Sequence, residues 1–265
     1  MQTLRLALTS RCRLNCPSCY AEKSGEDMPR DLAERVITTA AKESFEVAAI
    51  GGGEPLEALD IVLHAIHTAN QCGMQTAITT SGSGLTVDVL RKLERAGLDH
   101  IQLSLGDNRV NLLECLPLLI RQANTTVGIN FLLSPRWIPK LEELVKVLDT
   151  NEINQVTLLL PKSDHVSHFT RDQFMCYYEN LKRSQSKLKH TTILIDCLTH
   201  CILMNGCVSQ GCTVFPNREL GKCAFHPYRH KWNGKSISKA IQLFPGDCPE
   251  MDGGAHETIW EPIYQ

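Results

Sequence analysis

Regular alternation of apolar strand-like segments with amphipathic helix-like segments is the feature that most constrains the fold. Helical segments, with apolar residues repeating every three or four positions, separate most of the strand-like ones. The predicted strands are residues 4–9, 45–50, 74–80, 98–105, 126–133 and 156–160. Strands joined by helices of this length form right-handed crossovers and a parallel sheet, so the pattern predicts an α/β fold, a partial TIM-like (β/α)6 barrel.

The unusual loops of this sequence follow predicted strands. A cysteine-rich loop follows the first strand, Gly51-Gly-Gly-Glu-Pro55 follows the second, and Ser81-Gly-Ser-Gly84 follows the third. The carboxyl ends of parallel strands meet at one edge of the sheet, where α/β proteins bind their ligands. We therefore expect the chemistry at this edge.

The alternation decays after about residue 171. One more helix is expected over residues 174–188 and one more strand over residues 191–195, and the sequence then becomes rich in Gly, Pro, His and Cys. A segment of that composition has little apolar periodicity, and a metal site would supply the missing stability. The prediction is a barrel domain over residues 1–196 and a small Cys-rich C-terminal lobe over residues 197–265.

Charge and hydropathy exclude several classes of protein. Lys and Arg number 27 against 29 Asp and Glu, so no basic field points to nucleic acid as a partner. No apolar run approaches the roughly 18 residues of a membrane span, and the N-terminus has no signal-peptide pattern. The expected location is the cytoplasm.

Twelve cysteines are many for a chain in a reducing compartment, where metal binding explains them better than disulfides do. Cys12, Cys16 and Cys19 form a Cys-x3-Cys-x2-Cys pattern in the loop after the first strand. Three thiolate ligands leave one coordination position of a metal centre open, as catalytic sites require. A zinc knuckle is the alternative, although no fourth Cys or His lies nearby in the sequence.

Motif order adds specificity to this pattern. The three cysteines with an aromatic residue after them, followed by Gly-Gly-Glu-Pro after the second strand, resemble the radical S-adenosylmethionine (SAM) superfamily over roughly residues 4–160. The resemblance implies that Cys12, Cys16 and Cys19 hold a [4Fe–4S] cluster whose fourth iron binds SAM. It implies one-electron cleavage of SAM to a 5′-deoxyadenosyl radical, which removes a hydrogen atom from a substrate, with a flavodoxin or ferredoxin type protein as electron donor.

The same resemblance implies a set of cofactor-binding residues. Gly52, Gly53, Glu54 and Pro55 match the motif that takes the amino group of SAM, and Tyr20 matches the aromatic position near adenine. Ser81, Ser104, Asp107 and Asn130 resemble polar positions near the cofactor, with Gly106 and Asp107 in swapped order relative to the family's Ser-x-Asp-Gly loop. Taken singly, Ser81, Ser104 and Asn130 are equally explained as hydrogen-bonding residues at strand ends.

A second group of cysteines is similar to the start of the extension called SPASM, or its shorter form, twitch. There a first cysteine leads through a Pro-Asp-Gly turn, here Pro216-Asn217-Arg218, to another cysteine. The similarity implies an auxiliary [4Fe–4S] cluster with the ligands Cys207, Cys212, Cys223 and Cys248, where Cys201 is the alternative to Cys212. A zinc ion on Cys212, Cys223, His226 and His230 is the competing interpretation.

The sequence thus predicts a radical SAM enzyme acting on a peptide or a small molecule. It begins directly on the first strand. This favours a small substrate or a peptide presented by a partner, and peptide modification is slightly preferred. The alternatives are a dehydrogenase or epimerase of a small metabolite and a non-catalytic iron–sulfur or zinc scaffold. No acid, base or radical-quenching residue is identified.

Overall fold

A computed structural model describes residues 2–16, 19, 21–105, 123–133, 137–159, 171–195, 211–223 and 228–244, without the side chains of 138 and 171–174. Its strands form one sheet of ten, in the order β10-β9-β8-β1-β2-β3-β4-β5-β6-β7. The strands are β1 (Thr3–Thr9), β2 (Val47–Gly52), β3 (Gln75–Thr80), β4 (His100–Leu105), β5 (Thr126–Leu132), β6 (Gln155–Leu159), β7 (Thr192–Ile195), β8 (Gly211–Val214), β9 (Glu219–Gly221) and β10 (His230–Lys231).

Neighbouring strands from β1 to β7 are parallel throughout, and this confirms the predicted α/β class. The helices of the described part are α1 (Arg30–Lys42), α2 (Leu59–Gln71), α3 (Val87–Ala96), α4 (Leu141–Thr150), α5 (Arg171–Gln185) and α6 (Ile237–Ile241), with short 3-10 helices at Pro55–Ala58 and Ile138–Lys140. The predicted strands and helices fall on these elements with shifts of a few residues. The sequence also predicts a helix over residues 109–123, and that range lies almost entirely outside the described residues.

The two faces of the sheet differ in composition because successive side chains of a strand point to opposite sides. One face is apolar and buried, and it joins the core that the helices share; it includes Leu4, Leu6, Ala48, Ile50, Ile78, Ile101, Ile129 and Val156. The opposite, inner face carries small and polar side chains, among them Arg5, Ala7, Ala49, Gly51, Ala77, Gln102, Ser104, Asn130 and Thr157. Closed TIM barrels fill this face with bulky branched residues, so the inner face here is suited to a ligand.

Carboxylates on helices fix the segments that enter the strands at the opposite, amino-terminal edge of the sheet. Asp149 at the end of α4 accepts hydrogen bonds from the backbone N–H groups of residues 189, 190 and 191, at 2.7–3.1 Å, just before β7. Burial raises the pKa of Asp149, but these donors outweigh it and the net pKa is lowered. Glu94 at the end of α3 does the same for the segment before β5 by accepting from Asn124 and Thr125.

The described part of the predicted C-terminal lobe continues the barrel sheet. β8 pairs in parallel with β1, with Leu4 opposite Cys212, and β9 and β10 extend the sheet in antiparallel fashion. Glu43 at the end of α1 also accepts from the backbone N–H groups of Ile237 and Ser238, at 3.2 and 2.7 Å, which ties α6 to the barrel. The predicted boundary between residues 196 and 197 lies outside the described residues and stays a prediction.

A tight turn joins β8 to β9, where the sequence shows Pro216-Asn217-Arg218. The Phe215 N–H donates to the Glu219 carbonyl at 2.9 Å, the Arg218 N–H donates to the Phe215 carbonyl at 3.0 Å, and Arg218 has φ +65°. A type I turn followed by a left-handed residue is a common three-residue hairpin loop, and glycine is the residue that adopts this conformation without strain. The hairpin is therefore present, with an arginine at the position that favours glycine.

Replacing Arg218 by glycine should stabilise the protein. The left-handed conformation costs an arginine about 1–2 kcal/mol, and the greater chain entropy of unfolded glycine offsets part of the gain. We expect Arg218→Gly to raise the free energy of unfolding by roughly 0.5–1 kcal/mol in chemical denaturation of the metal-free chain. Arg218→Ala removes the same exposed side chain but keeps its Cβ, and it should give no gain; an alanine variant as stable as the glycine variant would contradict this explanation.

Candidate active site

The loop after β1 holds the three cysteines of the Cys-x3-Cys-x2-Cys pattern. Cys12 and Cys16 are half-buried and Cys19 is exposed, and the Cys19 N–H donates to the Cys16 carbonyl at 3.1 Å, which folds the two residues into one turn. No disulfide joins any of the seven cysteines that the structure describes. Among the residues that the structure describes, no group of three or more His, Cys, Asp or Glu side chains is placed to hold a single metal ion.

Three thiols in one loop suit an iron–sulfur cluster by their chemistry, because clusters of this kind are held by cysteine thiolates. Each thiolate binds a different iron of a [4Fe–4S] cluster, so the sulfur atoms do not converge on one point as the ligands of a zinc ion do. With three cysteines supplied by the loop, the fourth iron has no ligand from this motif. The loop therefore fits the cluster that the sequence predicts.

Contacts with residues 24–27 fix the start of the cysteine loop. The Thr9 hydroxyl donates to an Asp27 carboxylate oxygen at 2.6 Å, and the Arg11 guanidinium forms an ion pair with Asp27 at 2.7 Å. The Ser10 N–H donates to the Glu26 carbonyl at 2.7 Å. Sequence reasoning missed Asp27, because no local pattern shows that a residue 18 positions after Thr9 returns to contact it.

The glycines of the Gly-Gly-Glu-Pro segment pack directly under the cysteine loop. The Gly53 N–H donates to the Thr9 carbonyl at 2.7 Å, and the Glu54 N–H donates to the Arg11 carbonyl at 2.8 Å. A Cβ on Gly52 would lie 2.4 Å from the Thr9 carbonyl oxygen, and one on Gly53 would lie 2.1 Å from that of Arg11. Gly52 also has φ +117°, which side chains rarely tolerate. These two positions therefore need glycine because backbone meets backbone there.

Glu54 joins the carboxyl ends of β2 and β3. Its side chain is buried and accepts hydrogen bonds from the Thr80 hydroxyl at 2.6 Å, the Ser81 N–H at 2.8 Å and the Leu56 N–H at 3.1 Å. Three donors of the chain thus occupy most of the acceptor capacity of the carboxylate. Thr80, which no sequence pattern singles out, is part of this network. Contact between Glu54 and the amino group of SAM stays a prediction. Pro55 begins the 3-10 helix that follows.

Ser104 and Asn130 lie side by side near the carboxyl ends of β4 and β5, where they are register partners. Both face the inner side of the sheet and are half-buried. Within the described residues, neither side chain forms a hydrogen bond, so both are available to a ligand. Ser81 lies at the end of β3, with its hydroxyl accepting from the Ser83 N–H at 3.1 Å. Tyr20 and Asp107 lie outside the described residues.

The structure speaks against Cys212 as a metal ligand. Cys212 lies on β8 opposite Leu4, on the apolar face of the sheet, and it is fully buried. Burial raises the pKa of its thiol to about 12 in the metal-free chain. A period-two strand pattern could not be recognised in four residues from the sequence alone. Its burial on the apolar face favours a packing role, and the predicted ligand role of Cys212 stays a prediction.

The other predicted ligands of the C-terminal region divide between the described residues and the rest of the chain. Cys223 follows β9 and is half-buried. His230 is exposed on β10, and its ring packs against Phe244 with 4.7 Å between the ring centroids. Cys201, Cys207, His226 and Cys248 lie outside the described residues. Because Cys212 belongs to the core, the zinc set with Cys223, His226 and His230 loses one of its ligands.

Comparison with known proteins finds a family model that matches the first part of the chain. Residues 6–107, less than half of the chain, match the sequence model of the Radical SAM superfamily. This similarity supports SAM and a [4Fe–4S] cluster as cofactors, in agreement with the chemistry of the cysteine loop.

Curated relatives and solved structures extend the comparison. The chain is 40% identical over 104 residues to a PqqA peptide cyclase of Methylocella silvestris and 41% identical over 105 residues to one of Ruegeria pomeroyi. These matches cover 38% and 37% of this chain but only 28% and 27% of the relatives.

Streptococcus suis SuiB bound to SAM aligns with a TM-score of 0.72 at 15% identity, covering 86% of this chain and 62% of that chain. Native anSMEcpe with bound SAM aligns with a TM-score of 0.68 at 13% identity, covering 100% and 84%.

These structural likenesses show the fold alone, a TIM-like α/β barrel with a mainly parallel sheet. Among the residues that the structure describes, no helix has the length and apolar character that crossing a membrane requires.

Gly53→Ala should disable the cysteine loop. The added Cβ meets a backbone carbonyl that no side-chain rotation can move, so the loop must shift. We expect the reconstituted variant to lose most of its iron and its SAM cleavage to fall on the order of 100-fold. Gly51→Ala is the matched control, because a Cβ there has nothing within 4 Å. Iron content equal to that of the wild type in Gly53→Ala would contradict the close backbone packing.

Cys212→Ala should leave the iron content of the reconstituted protein unchanged. Because Cys212 lies in the core, the substitution should lower the free energy of unfolding by about 1 kcal/mol. Cys223→Ala should lower the iron content by that of one cluster, and Cys72→Ala, at an exposed position after α2, should change neither quantity. Loss of the same amount of iron from the Cys212 and Cys223 variants would restore Cys212 as a ligand.

Proposed function

We propose that this protein is a radical SAM enzyme that modifies a peptide. The observation that carries the proposal is the three-cysteine loop seated on Gly52 and Gly53 at the carboxyl edge of a parallel sheet. Hydrogen bonds and the absence of side chains form this seat. The cysteine motif and the Gly-Gly-Glu-Pro motif of the sequence therefore lie together in the fold. The matches cover about a quarter of the curated relatives, and the activity, substrate and partners of the whole protein are therefore proposed here.

The residues of the chain have separate tasks in this proposal. Cys12, Cys16 and Cys19 hold the cluster, and the Thr9–Asp27 and Arg11–Asp27 contacts keep the loop in place. When bound, SAM together with the cluster supplies the organic radical that takes a hydrogen atom from the substrate. The protein binds, orients and shields these groups from water.

Gly52, Gly53, Glu54 and Pro55 position the amino group of SAM, with Tyr20 near adenine. Backbone carbonyls of this segment are the better acceptors for that ammonium, because the Glu54 carboxylate already holds Thr80 and Ser81. Ser81, Ser104, Asp107 and Asn130 are proposed to contact the remainder of the cofactor. The half-buried, unoccupied hydrogen-bonding groups of Ser104 and Asn130 support their part in this set.

A peptide is proposed as the substrate in preference to a small metabolite. Both curated relatives are named PqqA peptide cyclase. One structure with the same fold is of SuiB bound to its precursor peptide SuiA. The inner face of the sheet is lined by small residues such as Ala7, Ala49 and Ala77, which leaves space for an extended chain beside the cofactor.

An auxiliary [4Fe–4S] cluster is proposed in the C-terminal region, with Cys207, Cys223 and Cys248 as ligands and Cys201 in place of Cys212. Its position near the active site is supported by Arg229, which stacks on Phe215 with 4.0 Å to the ring centroid and contacts Glu22, just after the cysteine loop, at 3.7 Å. A flavodoxin or ferredoxin type protein is proposed as the electron donor. Clusters and reduced thiols of this kind suit the cytoplasm.

Anaerobic reconstitution tests the proposed activity. Protein with a full complement of iron and sulfide, reduced with dithionite and given SAM, should release 5′-deoxyadenosine. Cys16→Ala should abolish the release, whereas Cys72→Ala, a matched exposed cysteine outside the loop, should retain it. Absence of release from fully loaded wild-type protein would favour a non-catalytic scaffold.

The substrate class needs a second measurement. A short peptide encoded next to the gene, synthesised with deuterium at its side-chain and backbone carbons, should transfer deuterium to 5′-deoxyadenosine and change in mass. Transfer from a labelled sugar or nucleoside, with none from the peptide, would instead identify a small-metabolite enzyme.

A further inference from the structure

Three polar groups on the inner face of the sheet are buried without a hydrogen-bond partner, namely Arg5 Nη1 on β1, the Thr213 hydroxyl on β8 and, three strands from Arg5, Gln102 Oε1 on β4. Arg5 on β1 and Thr213 on β8 are register partners of adjacent parallel strands and therefore lie on the same face. The Arg5 Nη1 atom and the Thr213 hydroxyl have no partner, and Thr213 is only 3% exposed. Arg5 forms no ion pair with any carboxylate of the described residues.

This arrangement is unfavourable for the ligand-free protein. An unsatisfied buried hydroxyl and an uncompensated buried cationic nitrogen each cost free energy that a core residue of similar size would not. Asp149 and Glu94, by contrast, each accept several hydrogen bonds at the amino-terminal edge of the sheet. Arg5 and Thr213 are neighbouring donors on adjacent strands, and two donors in that arrangement match an anion.

An open path leads from these groups toward the cysteine loop. Ala7 follows Arg5 on the same face of β1, Gly51 is the register partner of Ala7, and Ala49 is that of Arg5. Ala7, Ala49 and Gly51 are all half-exposed although they lie on central strands whose other face is buried. No side chain larger than a methyl group therefore stands on β1 or β2 between Arg5 and the loop.

The Arg5 guanidinium points away from the cofactor. A Cβ on Gly211, the register partner of Thr3, would lie 3.1 Å from Nη1, so the side chain runs toward the amino-terminal end of β1. The Cα atom of Arg5 also lies roughly 13 Å before that of Thr9, where the cysteine loop begins. An anion held by Arg5 is thus separate from a cofactor bound at the loop.

We propose that Arg5 and Thr213 bind a carboxylate of the substrate, at the floor of the inner face below the cofactor. This inference rests on the proposed function and narrows its substrate class to peptides with an acidic side chain or a free C-terminus near the reacting residue. A guanidinium fork and a hydroxyl together supply three donors to one carboxylate, and binding removes the cost of leaving them unsatisfied.

Binding of small carboxylate probes tests the proposal without turnover. Reconstituted protein with SAM is titrated with N-acetylglutamate N-methylamide, N-acetylglutamine N-methylamide and N-acetylglycine, and binding is measured by calorimetry or saturation-transfer NMR. The capped glutamate represents an acidic side chain, N-acetylglycine represents a C-terminus, and the capped glutamine is the neutral control. We expect one of the two carboxylates to bind at least tenfold more tightly than the capped glutamine.

Arg5→Met should weaken carboxylate binding at least tenfold, leave SAM affinity unchanged, and raise the melting temperature of the ligand-free protein. Arg35→Met on α1 removes an equal charge from the outer surface, where Arg35 pairs with Asp31 at 3.1 Å, and should bind the probes as the wild type does. Arg5→Lys keeps the charge and should retain part of the binding if the methionine variant fails to fold.

Three results would overturn the proposal. The first is that the wild type binds neither carboxylate better than the neutral probe. The second is that SAM affinity falls together with probe affinity in the Arg5 variants, which would identify the cofactor's own carboxylate as the occupant. The third is a lower melting temperature with unchanged probe binding, which would make Arg5 a structural residue. Release of 5′-deoxyadenosine without substrate should persist in Arg5→Met, so failure here is distinct from failure of the radical SAM activity.

Discussion

Close contact between two backbone segments is the constraint on which the site depends. The end of β2 passes directly beneath the loop that carries Cys12, Cys16 and Cys19, and the contact at Gly52 and Gly53 leaves no space for a side chain. The hydrogen bonds from Gly53 to Thr9 and from Glu54 to Arg11 then set the height of the loop above the sheet. A motif that is usually considered for its contacts with a cofactor therefore acts first on the protein, by seating the thiols.

Glu54 extends the same constraint to the next strand. Its buried carboxylate receives Thr80 and Ser81 from the end of β3, so the cysteine loop, β2 and β3 are connected through one short segment. Ser104 and Asn130 continue the polar edge on β4 and β5, and their side chains form no hydrogen bond among the described residues. One half of the edge is thus hydrogen-bonded internally, whereas the side chains of the other half keep free hydrogen-bonding groups.

Much of this architecture was predictable because it follows from periodicity and motif order. Strands such as Gln75–Thr80 and helices such as Val87–Ala96 are long enough for their apolar pattern to be recognised, and parallel pairing follows from their alternation. Register could not be predicted, so the pairing of Ser104 with Asn130 came only from the structure. β8, β9 and β10 were missed because strands of two to four residues carry almost no pattern. The same brevity hides the position of Cys212, since the sequence does not show which face of so short a strand a cysteine occupies.

The carboxylates at the amino-terminal edge of the sheet have a consequence for the behaviour of the whole scaffold in acid. Glu43, Glu94 and Asp149 each hold backbone donors from distant segments, and although burial raises the pKa of each carboxyl, the hydrogen bonds bring it below its ordinary value. Their stabilisation is complete above the pKa of an unfolded carboxyl and disappears as the pH falls through the lower folded values. Acidification thus removes stabilisation from the end of the barrel remote from the thiols, where a single carboxylate ties each distant segment to a helix.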